Sequence, residues 1–194
     1  MAAARASKHA SKTKTEIQVG SIVRRLRIRQ QLSVRGLADK CGFSPSFISQ
    51  VELGQASPSI ASTERITSAL GVTLGEFFRS AAPSLPAVIK VKERPVIQSH
   101  WSRAKIEALG SSSEESRLES MMITLNPRGA SASKPHTREI EQFAMIFRGA
   151  VTLHLEDDVH VLKEGDSASI PAGIRHYWKN NSPRIVKVLI VSAR

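Results

Sequence analysis

Pro45, Ser46, Ser49 and Gln50 fall on the outward side of a short helix whose inward stripe is Phe47, Ile48 and Val51. Small hydroxyls and an amide at the start of a helix can donate to and accept from the base edges exposed in a duplex major groove. Ser44 can cap this helix and touch a phosphate. Pro45 stands at the first helical position, where its missing N–H costs nothing. An earlier helix, capped by Ser33, carries Val34, Leu37, Ala38 and Cys41 at helical spacing and stops at Gly42. Two short helices hinged at a glycine, the second with a polar outer face, can present hydrogen-bonding groups to nucleic acid.

The stretch LSVRGLADKCGFSPSFISQVELGQASP, from Leu32 to Pro58, together with the closing run ITSALGVTLGEFF, resembles the lambda-repressor-like, or XRE-type, helix-turn-helix class. The resemblance runs from Ile17 to Arg79. It implies five helices, over Ile17 to Gln30, Ser33 to Cys41, Ser44 to Leu53, Ser59 to Leu70 and Thr73 to Phe78. It also implies an ion pair between Arg27 and Glu52 that locks the first helix onto the recognition helix. DNA contacts would come from Arg35, Ser44, Pro45, Ser46, Ser49 and Gln50. Binding to double-stranded DNA as a homodimer is expected, because two recognition helices on two half-sites add their energies. Val34 departs from the class, in which a Gln commonly stands there to bond phosphate.

Charge agrees with such a partner. The chain carries +11 at neutral pH, and its first 80 residues hold 12 basic against 5 acidic residues. Lys and Arg displace counterions condensed on the phosphates and add affinity without sequence information. The opening residues, MAAARASKHASKTKTE (1–16), have no apolar periodicity and are expected to form a disordered basic tail. No apolar run suits a secretory signal or a membrane span, so a soluble, cytoplasmic protein with no membrane partner is expected. A single cysteine, Cys41, excludes an internal disulfide and a Cys-rich zinc site. Its place on an inner stripe makes it a small buried hydrophobe.

Around SAAPSLPA the texture changes, and residues 80–87 read as a linker. Beyond it, short apolar segments alternate with turns: AVIKV, RPVIQ, SMMITL, FAMIF, VTLHL, HVL, ASI and RIVKVLIV. Such spacing implies an all-β sandwich or barrel, with the polar stretch from Gly110 to Ser120 as a loop between strands. The row GDSASIPAGIRHYWKN places Gly165, Pro171, Gly173, His176 and Asn180 at the spacing of the second cupin motif, and HTREIEQFAMIFRG, from His136 to Gly149, covers the first. The second half, residues 88–194, thus resembles the cupin family. The fold class expected for the whole is α+β in two domains: a five-helix DNA-binding domain, residues 17–79, then a cupin jelly-roll, or double-stranded β-helix, barrel.

Aligned on Gly149 and His176, the four positions at which a metal-binding cupin offers two His, a Glu and a further His are here His136, Arg138, Gln142 and His176. A guanidinium has no lone pair to donate, so only the two imidazoles remain as strong ligands and no metal cofactor is expected. A divalent metal at His136 and His176 stays as the minor alternative, and a slip of the alignment would bring Glu139 or Glu141 nearer the site. The same four residues suit an anion instead: Arg138 offers a fork for a carboxylate or phosphate, with His136, Gln142 and His176 hydrogen bonding around it. His154 and His160 read as exposed or locally bonded, and Trp178 as core or pocket lining.

Many bacterial transcription regulators join these two domains, and the resemblance implies a sequence-specific regulator, a repressor rather than an activator. Its barrel would bind a small carboxylate-bearing effector that modulates DNA affinity, and it would not be an enzyme. The alternative is an iron enzyme of the same layout, as in hydroxypropylphosphonic acid epoxidase. Its two-His-one-carboxylate triad would fall on Arg138, Gln142 and His176, of which only His176 matches.

Overall fold

The computed structural model describes residues 17–81, 88–99, 102–110, 117–138 and 140–193. The expected tail, 1–16, and residues 82–87 of the expected linker lie outside the described residues. Among the described residues five helices come first: α1 Val19–Arg29, α2 Val34–Cys41, α3 Pro45–Glu52, α4 Ile60–Ala69 and α5 Leu74–Ala81. Helix α5 therefore continues through Ser80 and Ala81, the first two residues of the expected linker.

Local chemistry sets the helix starts. The hydroxyls of Ser33, Ser44 and Ser59 accept from the backbone N–H of Gly36, Phe47 and Ser62 at 2.9, 3.2 and 3.1 Å, each satisfying a donor the helix itself cannot. Thr73 and Glu76 form a capping box at α5: the Thr73 N–H donates to the Glu76 carboxylate at 2.7 Å, and the Glu76 N–H to the Thr73 hydroxyl at 3.1 Å. Gly42 ends α2 in the left-handed region, φ 64°, which an L side chain rarely adopts. Leu37, Ile48, Ile66, Leu70, Phe77 and Phe78 fill the core between the helices. Gly20 lets α1 lie directly on the end of α3, since a Cβ there would stand 2.1 Å from the Val51 carbonyl oxygen.

Nine strands follow among the described residues: β1 Val96–Ser99, β2 Ala104–Ala108, β3 Leu118–Leu125, β4 Gln142–Arg148, β5 Ala150–Leu155, β6 Asp158–Lys163, β7 Ser167–Ile170, β8 His176–Lys179 and β9 Val186–Ala193. They form an antiparallel six-stranded sheet, ordered β1-β2-β3-β9-β4-β7, and a three-stranded sheet, β6-β5-β8. Strict alternation in β9 turns Val186, Val188, Ile190 and Ser192 inward, and in β4 it turns Gln142, Ala144 and Ile146 inward while Phe143, Met145 and Phe147 face out.

The expected strands need correction in three places. The described part of the segment AVIKV is not a strand; the backbone enters a 3-10 helix at Val91–Glu93, where Val91 is exposed. Strand β2, AKIEA, carries too little apolar bulk to stand out in the sequence, yet it sits between β1 and β3 with Ile106 in the core. The polar stretch before β3 also ends earlier than expected, because Leu118, Glu119 and Ser120 already pair with β9.

Candidate functional sites

The outer face of α3 is the first site. Ser44, Pro45, Ser46 and Gln50 are exposed, Ser49 is half-buried, and Arg35 on α2 is exposed nearby in sequence. Behind them Arg27 reaches from α1 to α3. Its Nε donates to Glu52 Oε1 at 2.6 Å and its Nη2 to Oε2 at 3.0 Å, while Nη1 donates to the Leu32 carbonyl at 2.7 Å. The hydrogen bonds to Glu52 raise the guanidinium pKa further, so Arg27 stays charged. One side chain thus ties α1, the α1–α2 turn and the recognition helix together. Arg65 on α4 adds a brace the sequence reading missed: it stacks over the Phe43 ring, 4.5 Å from the centroid, and donates to the Cys41 carbonyl at 2.7 Å, holding the turn between α2 and α3.

The second site is the barrel mouth, where His136, Arg138, Gln142 and His176 line one cavity with Trp178. Reciprocal backbone hydrogen bonds of 3.2 and 2.9 Å pair His136 with His176, and the Gly173 N–H donates to the Arg138 carbonyl at 2.7 Å, so the two cupin motifs lie side by side. Gln142 turns inward as the first residue of β4 and donates from Nε2 to Ser192 Oγ at 3.3 Å. His176 Nδ1 donates to the Ile174 carbonyl at 3.1 Å, which leaves Nε2 as an acceptor. Glu141 is exposed on the outside, and Glu139 lies outside the described residues. His160 is exposed, and His154 stacks on Tyr177 with ring centroids 4.2 Å apart.

A residue from the other domain completes this site. Glu64, on α4, enters the mouth and accepts from Arg138 Nη2 at 2.8 Å and from His136 Nε2 at 2.9 Å; the three side chains are only 11–12 % exposed. Ile60, one helical turn earlier, lines the same cavity. The remaining space is about 20 Å³, room for one water. His136 Nδ1 is buried and has no hydrogen-bond partner among the described residues. A cleft of about 660 Å³ between the domains also opens onto Glu64, His136 and Arg138, so this triad separates the cleft from the barrel interior.

A second carboxylate crosses the other way. Glu119 of β3 accepts from the Thr73 hydroxyl and, at 3.3 Å, from the Gly75 N–H at the start of α5. Gly75 permits this, as a Cβ there would stand 2.6 Å from the carboxylate. The Ala61 N–H at the start of α4 donates to the Ser131 carbonyl of the barrel at 3.2 Å. The domains are therefore joined by polar groups that satisfy each other's helix ends.

These residues do not fit a resident metal ion. His136 Nε2 donates its proton to Glu64, Arg138 takes the other carboxylate oxygen, and Gln142 is engaged with Ser192. Among the described residues no group of three or more His, Cys, Asp or Glu is arranged to hold a metal.

Burial is the largest influence on the Glu64 carboxyl and opposes its ionisation, but Arg138, then His136 and His176, together overcome it and hold the pKa below the ordinary 4.5. Burial pushes His176 below the ordinary 6.5; the Ile174 carbonyl opposes this and the His136 charge adds to it. Both groups favour the folded state at neutral pH. The His176 contribution is present above pH 6.5 and is lost as pH falls from there toward its depressed folded value, because the unfolded chain takes up the proton first. The Glu64 contribution persists to lower pH and is lost only as pH drops from 4.5 through its folded value. Melting curves from pH 7.5 to 5 are therefore expected to show falling stability in the wild type and a flatter profile in His176→Gln. Equal slopes would remove His176 from this role.

Residues 18–77 match the helix-turn-helix domain family and residues 121–192 the cupin domain family. The HTH-type transcriptional regulator PuuR of Escherichia coli (strain K12) is 24 % identical over 171 residues, 88 % of this chain and 91 % of the relative. The HTH-type transcriptional regulator SutR of the same organism is 20 % identical over 168 residues, 87 % of this chain and 90 % of its own. An HTH_3 family transcriptional regulator from Vibrio cholerae shares the fold, with a TM-score of 0.72 at 23 % identity over 95 % of this chain and 97 % of that one. No helix among the described residues is long and apolar enough to cross a membrane. Both domains are matched in order and two HTH-type transcriptional regulators align over almost their whole length, so the chain is a helix-turn-helix protein with a C-terminal cupin domain, in the layout of a transcription regulator.

Proposed function

We propose that this regulator is a cytoplasmic homodimer that represses transcription by reading a palindromic operator with α3, and that a small carboxylate-bearing metabolite in the barrel mouth modulates its DNA affinity. The observation that carries the effector reading is Arg138, which turns into the barrel mouth and already holds a carboxylate there, beside His136, Gln142 and His176. The DNA reading is supported by the exposed polar face of α3, with Gln50 suited to a bidentate contact with adenine. A second copy has a face to use: Phe143, Met145 and Phe147 project from β4 and remain exposed, an apolar stripe on the outer side of the six-stranded sheet.

Selection from a random duplex library with the full-length protein tests this reading. A shared palindrome with half-sites about one helical turn apart supports a dimeric reader, whereas salt-sensitive binding with no common sequence defeats it. On the selected site, Gln50→Ala is expected to cost roughly 1–3 kcal/mol while binding to random DNA stays nearly unchanged. Equal loss on both would take Gln50 out of base reading.

A further inference from the structure

Glu64 stands where an effector carboxylate would stand. Its two oxygens satisfy Arg138 and His136 at 2.8 and 2.9 Å, and its position on α4 makes the DNA-binding domain itself the occupant of the cupin site. We propose that Glu64 is an internal ligand, and that the effector is a carboxylate on a short aliphatic body that displaces it from Arg138 and His136. This rests on the reading of the barrel mouth as an anion site.

Three observations carry the inference. The chemistry of the occupant is visible: a carboxylate on two methylenes, received by a guanidinium and an imidazole N–H. The surroundings match the rest of such a molecule, because beyond the triad the cavity is walled by Ile60, Ile106, Ile123 and Trp178, with Gln142 and His176 as its inner polar groups. The buried, unpartnered Nδ1 of His136 is a polar atom left over for a ligand to meet. There is also a way in, since the cleft between the domains reaches the same three side chains from outside, while the interior behind them, at about 20 Å³, is too small for an effector until Ile60 and Glu64 withdraw.

Displacement has a mechanical consequence. Glu64 and Arg65 are neighbours on α4, and each grips a different body: Glu64 the barrel, Arg65 the turn ahead of the recognition helix. Releasing Glu64 leaves the Ala61–Ser131 hydrogen bond as a remaining polar tie between α4 and the barrel, while Arg65 keeps α4 fastened to α2 and the turn ahead of α3, so loosening α4 carries the reading head with it. An effector that binds only the released arrangement shifts the population toward it, and its apparent affinity is reduced by the fraction of molecules in which Glu64 has already left.

The test uses the full chain, with propionate and glutarate as carboxylate probes and inorganic phosphate as the contrasting anion. Calorimetric titration is expected to show Glu64→Gln binding the carboxylates about tenfold tighter than the wild type, because the internal competitor is weakened. Adding Arg138→Met to that variant is expected to abolish the binding. In the wild type, saturating glutarate is expected to speed hydrogen exchange at the Ala61 amide, which is bonded to the Ser131 carbonyl across the domain boundary. This second measurement needs no variant to fold. Equal carboxylate affinity in wild type and Glu64→Gln, or unchanged Ala61 exchange under saturating glutarate, overturns the internal-ligand inference and leaves the anion site standing. Absence of carboxylate binding in both proteins overturns the anion site and the inference with it. Tightening toward phosphate but not carboxylate overturns the assigned ligand class.

Discussion

Arg27→Met is expected to cost about 3–5 kcal/mol of stability, read as a lowered denaturation midpoint with unchanged slope. The size follows from what stays behind. Glu52 is only 6 % exposed and would be left without its partner, and the Leu32 carbonyl would lose the donor at 2.7 Å. Met has similar length and leaves no large void, so loss of packing contributes little. The double variant Arg27→Met with Glu52→Leu is expected to recover most of the loss, since removing both charges removes the buried orphan. If the double variant is no better than the single, the pair is not what holds α1 to α3. Specific DNA binding is expected to fall in the single variant even where the protein remains folded, because the pair sets the angle at which Ser46 and Gln50 are presented.

Asn180→Asp is the other substitution with a large expected effect, roughly 3 kcal/mol or more in the same measurement. Asn180 is fully buried, and its Nδ2 donates to the carbonyls of Leu125, Asn126 and Arg184 at 3.0, 3.1 and 2.7 Å. Its Oδ1 accepts from the Ser182 N–H and hydroxyl, both at 2.8 Å. Aspartate keeps the shape but turns a donor into an oxygen facing three carbonyl oxygens. Asn180→Ser, which removes the amide without adding charge, is expected to lose less. A loss within 0.5 kcal/mol, about what an ordinary surface change costs, would show that the β3, β8 and β9 ends are held by something else.

The contrast between Asn180 and Gln142 shows how far a motif can be read. Both belong to the cupin pattern, but Asn180 knots the ends of strands whereas Gln142 faces the cavity at the barrel mouth, and only the hydrogen-bond partners distinguish them. The serine caps, the proline after Ser44 and the stop at Gly42 could be placed in advance because their effects act within one helical turn. Alternation placed β4 and β9 for the same reason, and it failed at AVIKV and AKIEA, where pairing rather than apolar bulk decides between strand and coil.

By itself, then, the amino-acid sequence determined the two domains, the polar face of α3, and the loss of metal-ligating chemistry when Arg138 and Gln142 took their places in the barrel mouth. Only the tertiary structure brought Glu64 to His136, 72 residues along the chain, and Glu119 to the start of α5. A carboxylate on an amphipathic helix carries no local sign of its partner. Whether it meets solvent or a guanidinium depends on how two independently patterned cores dock, and that geometry is set by packing across the whole molecule rather than by any segment of it.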